Sequence, residues 1–384
     1  MTFNTLKDDL QQEAIRQWRF NNCRGLVCAA TGVGKTRIAI LAMQHVYSQF
    51  GEETDILIVV PFTELKVTGW PEELTKWGSE FLLNHIEITT YQSLSTREKR
   101  ERSLIVLDEA HHLTINNAKF FIGNAQPRIL SITATPPDKV WDELEEQWYP
   151  HVLIRLTPLV FNYTIKEATE HQMVSDYGIW IIDCFLDAKI PYVKAGTDKN
   201  PFKTTEQSHY SYIMKEIAKA GAVQNVGKLN VLYGSRMRFL YNLYSKYEVA
   251  KRILHKIGPD ERTIVFCGSI KQAEAICGKN VYHSKSGNQA LKDFKEKRIN
   301  IIGVVKSLDE GHNLPDVDNE IIIQTTSKPR QTVQRVGRAI RFRPGHKARI
   351  FLLRAKGTVD ERWVKSTLEF FDPKKIMYFS SKNF

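Results

Sequence analysis

Two short stretches of the chain carry residue types suited to phosphate chemistry. The first is the loop Ala29-Ala30-Thr31-Gly32-Val33-Gly34-Lys35-Thr36-Arg37, set between an apolar run, Gly25–Ala29, and a helix-type pattern, Arg37–Met43. Strand, glycine-bearing turn and helix in that order form a phosphate cradle. Successive backbone N–H groups point into the turn, and the helix N-terminus adds its partial positive charge. Lys35 is expected to reach the β/γ-phosphates, and the Thr36 hydroxyl to ligate Mg²⁺. Thr31, Gly32, Val33, Gly34, Lys35, Thr36 and Arg37 are therefore the expected nucleotide-binding residues. The pattern departs from G-x-x-x-x-G-K-[ST] at one position, because Ala29 stands where the first glycine would be.

The second stretch, Asp108-Glu109-Ala110-His111, follows an apolar run. Mg²⁺ is a hard ion held by one or two carboxylates together with phosphate and water oxygens, which suits Asp108. Hydrolysis also needs a base within hydrogen-bond reach of the attacking water, and Glu109 is the candidate. The bland alternative is an acidic helix cap, a common use of Asp.

Elements that could position these residues alternate along the chain. Residues 5–19 read as an amphipathic helix. Apolar strands are expected at 55–61, 86–90, 103–107 and 128–133, and most are followed by helical stretches. Such strands imply a parallel sheet covered on both faces, with ligands outside the carboxyl ends. Residues 137–160 are turn-rich and acidic and suggest a boundary. A strand is expected at 177–186, a loop at 190–206, and helices at 207–220 and 235–257. A second α/β series then runs from Thr263 to Leu353, without a phosphate loop of its own.

The chain has 384 residues, 42% hydrophobic and 25% charged, with a net charge of +11. That excess of base favours polyphosphate partners, nucleic acid first. Five irregularly spaced cysteines argue for a reducing compartment and against a disulfide framework. The N-terminus lacks a signal-peptide pattern, and no apolar run nears the roughly 20 residues needed to cross a bilayer. A cytoplasmic protein without membrane contact is expected.

At this point the chain resembles a family. Asp108-Glu109-Ala110-His111 is a DExH box, and Ala30–Thr36 resembles motif I of the superfamily 2 helicases and translocases, which commonly carry Ala at the position of Ala29. Ser131-Ile-Thr133-Ala-Thr135 resembles motif III, and Leu308–Pro315 resembles motif V, with Gly311 and Asn313 as nucleotide contacts. Gln331-Thr-Val-Gln334-Arg335-Val-Gly337-Arg338-Ala-Ile-Arg341 matches motif VI at every fixed position.

Gln334, Arg338 and Arg341 are spaced to share one helix face. Arginines aimed at a γ-phosphate can be worth about 10³–10⁵ in rate, and here they would act on nucleotide held by the first half. Gln11 fits the adenine-reading position, although the Arg and aromatic often found before it are replaced by Asp8-Asp9-Leu10. Thr63, Thr90 and Tyr91 fall in the counterparts of motifs Ia and Ib, where relatives touch the phosphodiester backbone. His111, Ser131 and Thr133 are the expected coupling residues. Trp70 matches a frequent family Trp but is expected to be a core aromatic.

The resemblance implies two RecA-like (P-loop NTPase) parallel-sheet α/β domains in tandem with a helical insertion. The boundaries expected are 1–155 and 156–384, with the insertion at about 190–257, and Phe161–Ala168 leading into the second domain. It implies an ATP- and Mg²⁺-dependent motor acting on nucleic acid. DNA is favoured (single-stranded, forked or branched), with a monomer of the phage-encoded repair and recombination type. The motor of a restriction system and an ATP-switched RNA-binding clamp are the rival readings.

Overall fold

The computed structural model describes residues 3–135, 139–142, 147–197, 199–283, 285–305, 316–327 and 329–383. The chain divides into two compact units, Met1–Val174 and Ser175–Phe384.

The first unit is built on a parallel sheet. Its strands are β1 (Arg24–Ala29), β2 (Ile56–Val60), β3 (Ile86–Thr90), β4 (Leu104–Asp108), β5 (Ile129–Thr133) and β6 (Leu159–Tyr163), in the spatial order β3-β2-β4-β5-β1-β6. Strands β2, β4 and β5 are buried at every position, the pattern expected of a sheet covered on both faces. One cover includes Leu113 and Phe120, packed on Leu57, Val59, Ile105 and Leu107. Two helices, α1 (Phe3–Phe20) and α2 (Lys35–Phe50), bury Ala14, Trp18, Ile38, Met43 and Val46. The Trp18 indole N–H donates to the carbonyl of Ile129, 3.0 Å away, tying α1 to the start of β5.

The expected boundary at 155/156 moves to 174/175. The stretch Phe161–Ala168, expected to lead into the second domain, lies in the first unit, and its first residues belong to the strand Leu159–Tyr163 that extends the first sheet. Strand β6 pairs with β1 through Leu26↔Leu159 and Ala29↔Tyr163, and the Ala30 N–H donates to the Tyr163 carbonyl at 2.9 Å. Met173 and Val174 are buried as well.

The second unit carries a seven-stranded parallel sheet. It comprises β7 (Asp176–Cys184), β10 (Thr263–Phe266), β11 (Val281–His283), β12 (Ile301–Val305), β13 (Asn319–Ile322), β14 (Lys347–Ala355) and β15 (Ile376–Ser380), ordered β11-β12-β10-β13-β14-β7-β15. The expected loop at 190–206 contains a separate antiparallel hairpin, β8 (Val193–Thr197) and β9 (Asn200–Thr204). The two expected helices are three: α3 (Glu206–Ala222), α4 (Val226–Tyr241) and α5 (Tyr244–Ile257).

The insertion is also smaller than expected, because α5 belongs to the core. Its Val249, Ala250 and Ile253 pack with Ile182, Val265 and Leu353 of the sheet. Lys246 of α5 is fully buried, 2.5 Å from Asp360, and also donates to the Ile323 carbonyl at 3.2 Å. A buried ion pair is tolerable only when hydrogen bonds complete it, and here Asp360 also accepts from Thr325 and the Ala355 N–H.

All five cysteines are free thiols. Among the described residues no helix is long and apolar enough to cross a membrane.

Candidate nucleotide site and nucleic-acid face

The glycine-bearing loop leaves β1 and ends at Gly34, which caps α2 with φ +94° and ψ 48°. A side chain there would be strained by the backbone alone, and its Cβ would stand 2.5 Å from Gln11 Nε2. Lys35 and Thr36 are therefore the first two residues of α2, where backbone N–H groups have no partner inside the helix. These N–H groups and the helix dipole make an anion seat.

The loop is braced from α1. Gln11 Nε2 donates to the Val33 carbonyl at 2.9 Å, and Lys7 Nζ donates to the Gly32 carbonyl at 2.9 Å. Burial holds the Lys7 ammonium below its ordinary pKa, with Lys76 adding to the effect. Gln11 is only 2% exposed, so in this structure its amide N–H supports the loop. Lys7 had no motif to mark it. Arg37 lies 4.4 Å from the Trp77 ring centroid, a cation–π contact on the outer side of α2.

Asp108 and Glu109 stand at the carboxyl end of β4, separated from β1 by β5. Lys35 Nζ lies 3.7 Å from Glu109 Oε1. Glu109 adopts a left-handed backbone, φ 44° and ψ 56°, uncommon for a residue with a side chain. Its Oε2 is buried without a hydrogen bond among the described residues, and His111 Nδ1 is 3.6 Å away. The same His111 Nδ1 meets Thr133 Oγ1 at 2.9 Å.

Asp108 Oδ2 accepts from the Trp70 indole at 3.1 Å. Burial, then the neighbouring Glu109 charge, push the Asp108 carboxyl up to about 7, against the pull of Lys35 and Trp70. Two carboxylates so close to each other and to a phosphate seat are what a divalent cation would neutralise. Thr36 and Asp108 fit the ligands Mg²⁺ takes from protein when phosphate and water supply the rest. Among the described residues no group of three or more His, Cys, Asp or Glu forms a metal cage of its own.

The family described as Type III restriction enzyme, res subunit, matches residues 6–138, and the helicase conserved C-terminal domain matches residues 245–343. The chain belongs to the superfamily 2 helicases and translocases. A DNA 3'-5' translocase XPB2 of Sulfurisphaera tokodaii is 25% identical, over 94% of this chain and 85% of that one. An ATP-dependent DNA helicase mph1 of Sclerotinia sclerotiorum is 30% identical, over 78% of this chain and 29% of that one. The chain spans 55% of two further relatives, from Haloarcula marismortui and Halobacterium salinarum. In fold it is similar to the Type ISP restriction-modification enzyme LlaBIII bound to DNA, with TM-score 0.60, 15% identity and coverage of 97% of this chain and 31% of that one. It is also similar to S. cerevisiae Dbp5 bound to RNA and ADP BeF3, with TM-score 0.57, 13% identity and coverage of 97% and 90%.

Several site expectations for this superfamily 2 chain change in three dimensions. Tyr91, expected on nucleic acid, is 3% exposed, and its hydroxyl donates to the backbone carbonyl of Asp108 at 2.9 Å. Its side chain braces the carboxylate strand from below. Ser131 is fully buried and accepts from Thr157 Oγ1 at 2.9 Å, one pleat deeper than the His111–Thr133 contact. Trp70 is a core aromatic, as expected, yet its one polar atom serves Asp108. Gly311 and Asn313 lie in 306–315, outside the described residues.

Thr63 is exposed, and Thr90 Oγ1 bonds Ser93 Oγ at 3.2 Å. A groove of about 370 Å³ opens between these strand ends, lined by Pro61, Phe62, Gln92, Ser95, His112 and Asn117, with part of Tyr91 also at its wall.

In the second unit, motif VI forms α6 (Pro329–Ala339). Arg341 stands beyond its end, so Gln334, Arg338 and Arg341 do not share one helix face as expected. Arg335, at 1% exposure, donates to the Gln324 carbonyl at 2.8 Å and lies over the Phe266 ring. It is a structural arginine. Beneath the helix, Glu320 of β13 is fully buried, and among the described residues neither carboxylate oxygen has a well-formed hydrogen bond. Burial pushes Glu320 up to about 8, opposed by the charges of Arg338, Arg335 and Arg341 and by the Ala339 N–H. Burial also lowers Arg341, and Glu320 partly restores it. No motif pointed to Glu320.

Proposed function

We propose that this chain couples hydrolysis of Mg-ATP to movement along DNA, unwinding or remodelling single-stranded, forked or branched substrates. The observation that carries the reading is the meeting of Lys35, Asp108, Glu109, His111 and Thr133 at the carboxyl ends of three neighbouring strands. Lys35 and the first-turn N–H groups of α2 hold the phosphates. Thr36 and Asp108 would hold Mg²⁺, which would supply positive charge against the charge that builds up during transfer.

Lys35 gives up Glu109 for phosphate oxygens, which leaves Glu109 to take a proton from the attacking water. His111 Nδ1 lies 2.9 Å from Thr133 Oγ1 and 3.6 Å from Glu109 Oε2, so a change at the carboxylate is felt at the motif III strand through that one ring nitrogen. Arg338 and Arg341, at the spacing of motif VI, are the proposed arginine fingers. DNA is favoured over RNA because three relatives matched over 92% or more of this chain carry DNA in their names, against one, matched over 95%, that is named a putative RNA helicase.

The deciding experiment is ATP turnover titrated with single-stranded DNA, duplex, branched DNA and RNA. Stimulation by DNA is expected, and stimulation by RNA alone overturns the assignment. A second reading, the motor of a restriction system, is favoured by the match of residues 6–138 to the res subunit family. Co-purification with a nuclease or methylase from the native host would support it.

A further inference from the structure

The hairpin β8–β9 belongs to neither main sheet. A lone two-stranded hairpin is marginal in water, so one kept outside a core needs another reason for its side chains. Its register places Lys194 directly opposite Lys203 and, on the other face, Ala195 opposite Phe202. Like charges facing each other across a ladder repel. Both lysines are exposed, as is Lys199 at the turn, and among the described residues none of the three has an acidic partner. Phe202 is 59% exposed. Its ring rests over Gly196, where φ is +87° and an added Cβ would fall 3.0 Å from the ring and 2.2 Å from the Asn200 carbonyl. A glycine at 196 is thus required both by the backbone and by the seat of the ring.

We propose that this hairpin binds single-stranded nucleic acid, Lys194 and Lys203 taking phosphates on one face and Phe202 stacking on a base on the other. The inference rests on the motor reading above and adds a contact outside the two motor sheets. Phosphate oxygens relieve the Lys194–Lys203 repulsion, and an exposed ring is a sequence-tolerant platform for a base. The two groups lie on opposite faces of a ribbon only two strands wide. A paired base in a duplex cannot reach around it, whereas an unpaired strand can turn its base away from its backbone. An acidic peptide would satisfy the lysines but leave Phe202 without a role.

The test uses the full chain and a labelled oligothymidylate, with binding read by fluorescence anisotropy across a salt series. K203E replaces the repelling pair by an attracting one, so the hairpin itself becomes more stable while a phosphate contact is lost. We expect K203E to weaken binding and to reduce the log–log salt slope by about 0.7, the share of one single-strand phosphate. F202A is expected to weaken binding about tenfold with little change in slope. ATP turnover without nucleic acid stays at the wild-type rate in both.

Unchanged affinity and slope in K203E, with the wild type binding normally, overturns the hairpin assignment and leaves the motor reading intact. Tighter binding of an acidic polypeptide than of the oligonucleotide, lost in K203E, also overturns it. A wild type that neither binds the oligonucleotide nor is stimulated by it overturns both.

Discussion

The Trp70 indole N–H donates to Oδ2 of Asp108 at 3.1 Å, with Trp70 itself 1% exposed. A core aromatic thus holds the carboxylate expected to ligate Mg²⁺. It uses one oxygen of Asp108 and leaves the other for the ion. W70F keeps most of the apolar contact and removes the donor. A hydrogen bond to a charged group is worth about 1.5–3 kcal/mol. We expect the Mg²⁺ concentration for half-maximal ATP turnover to rise about tenfold or more. An unchanged midpoint would show that Asp108 is positioned without the indole.

Lys35 and Glu109 are neighbours with separable tasks. K35A should lose binding of a fluorescent ATP analogue together with turnover, because the phosphate contact goes. E109Q should keep the binding and lose turnover about 10²-fold or more, the usual weight of a general base. Comparable turnover by E109Q and the wild type would exclude Glu109 as the base.

Glu320 makes the second unit sensitive to pH in a stated direction. Its pKa is raised, to about 8, above its ordinary value by burial. The stability tied to the protonated form is complete below the ordinary carboxylate range and is lost as pH rises through about 8. The wild-type melting temperature should therefore fall from pH 6 to pH 9 relative to E320Q, which cannot ionise. Parallel melting curves of the two proteins across that range would refute the assignment.

Tyr91 ties the helical turn after β3 to the end of β4. Y91F leaves the buried Asp108 carbonyl without its side-chain donor, at a cost of about 1–3 kcal/mol in denaturant unfolding. DNA affinity should stay at the wild-type value. A selective loss of DNA affinity with unchanged stability would restore the original expectation that Tyr91 contacts nucleic acid.

The local sequence determined the phosphate loop, the carboxylates, the motif VI residues and most of the sheet strands. These features reside in short stretches: a glycine turn before a helix, acids after an apolar run, glutamines and arginines at fixed spacing. Tertiary structure alone decided which strands share a sheet. The run Leu159–Tyr163 has no local mark that assigns it to β1, because any buried parallel neighbour would accept it; hydrogen bonds from Leu26 and Ala30 settle it.

The same holds for α5, which falls within the expected insertion at 190–257 but whose apolar side packs on the second sheet. It holds for Trp70 and Tyr91, 38 and 17 residues from Asp108, which converge on that residue from two directions. It holds for Glu320 under the motif VI helix as well. Residue type and spacing can name a chemical group, but burial and partners from distant parts of the chain set its charge, its orientation and its task.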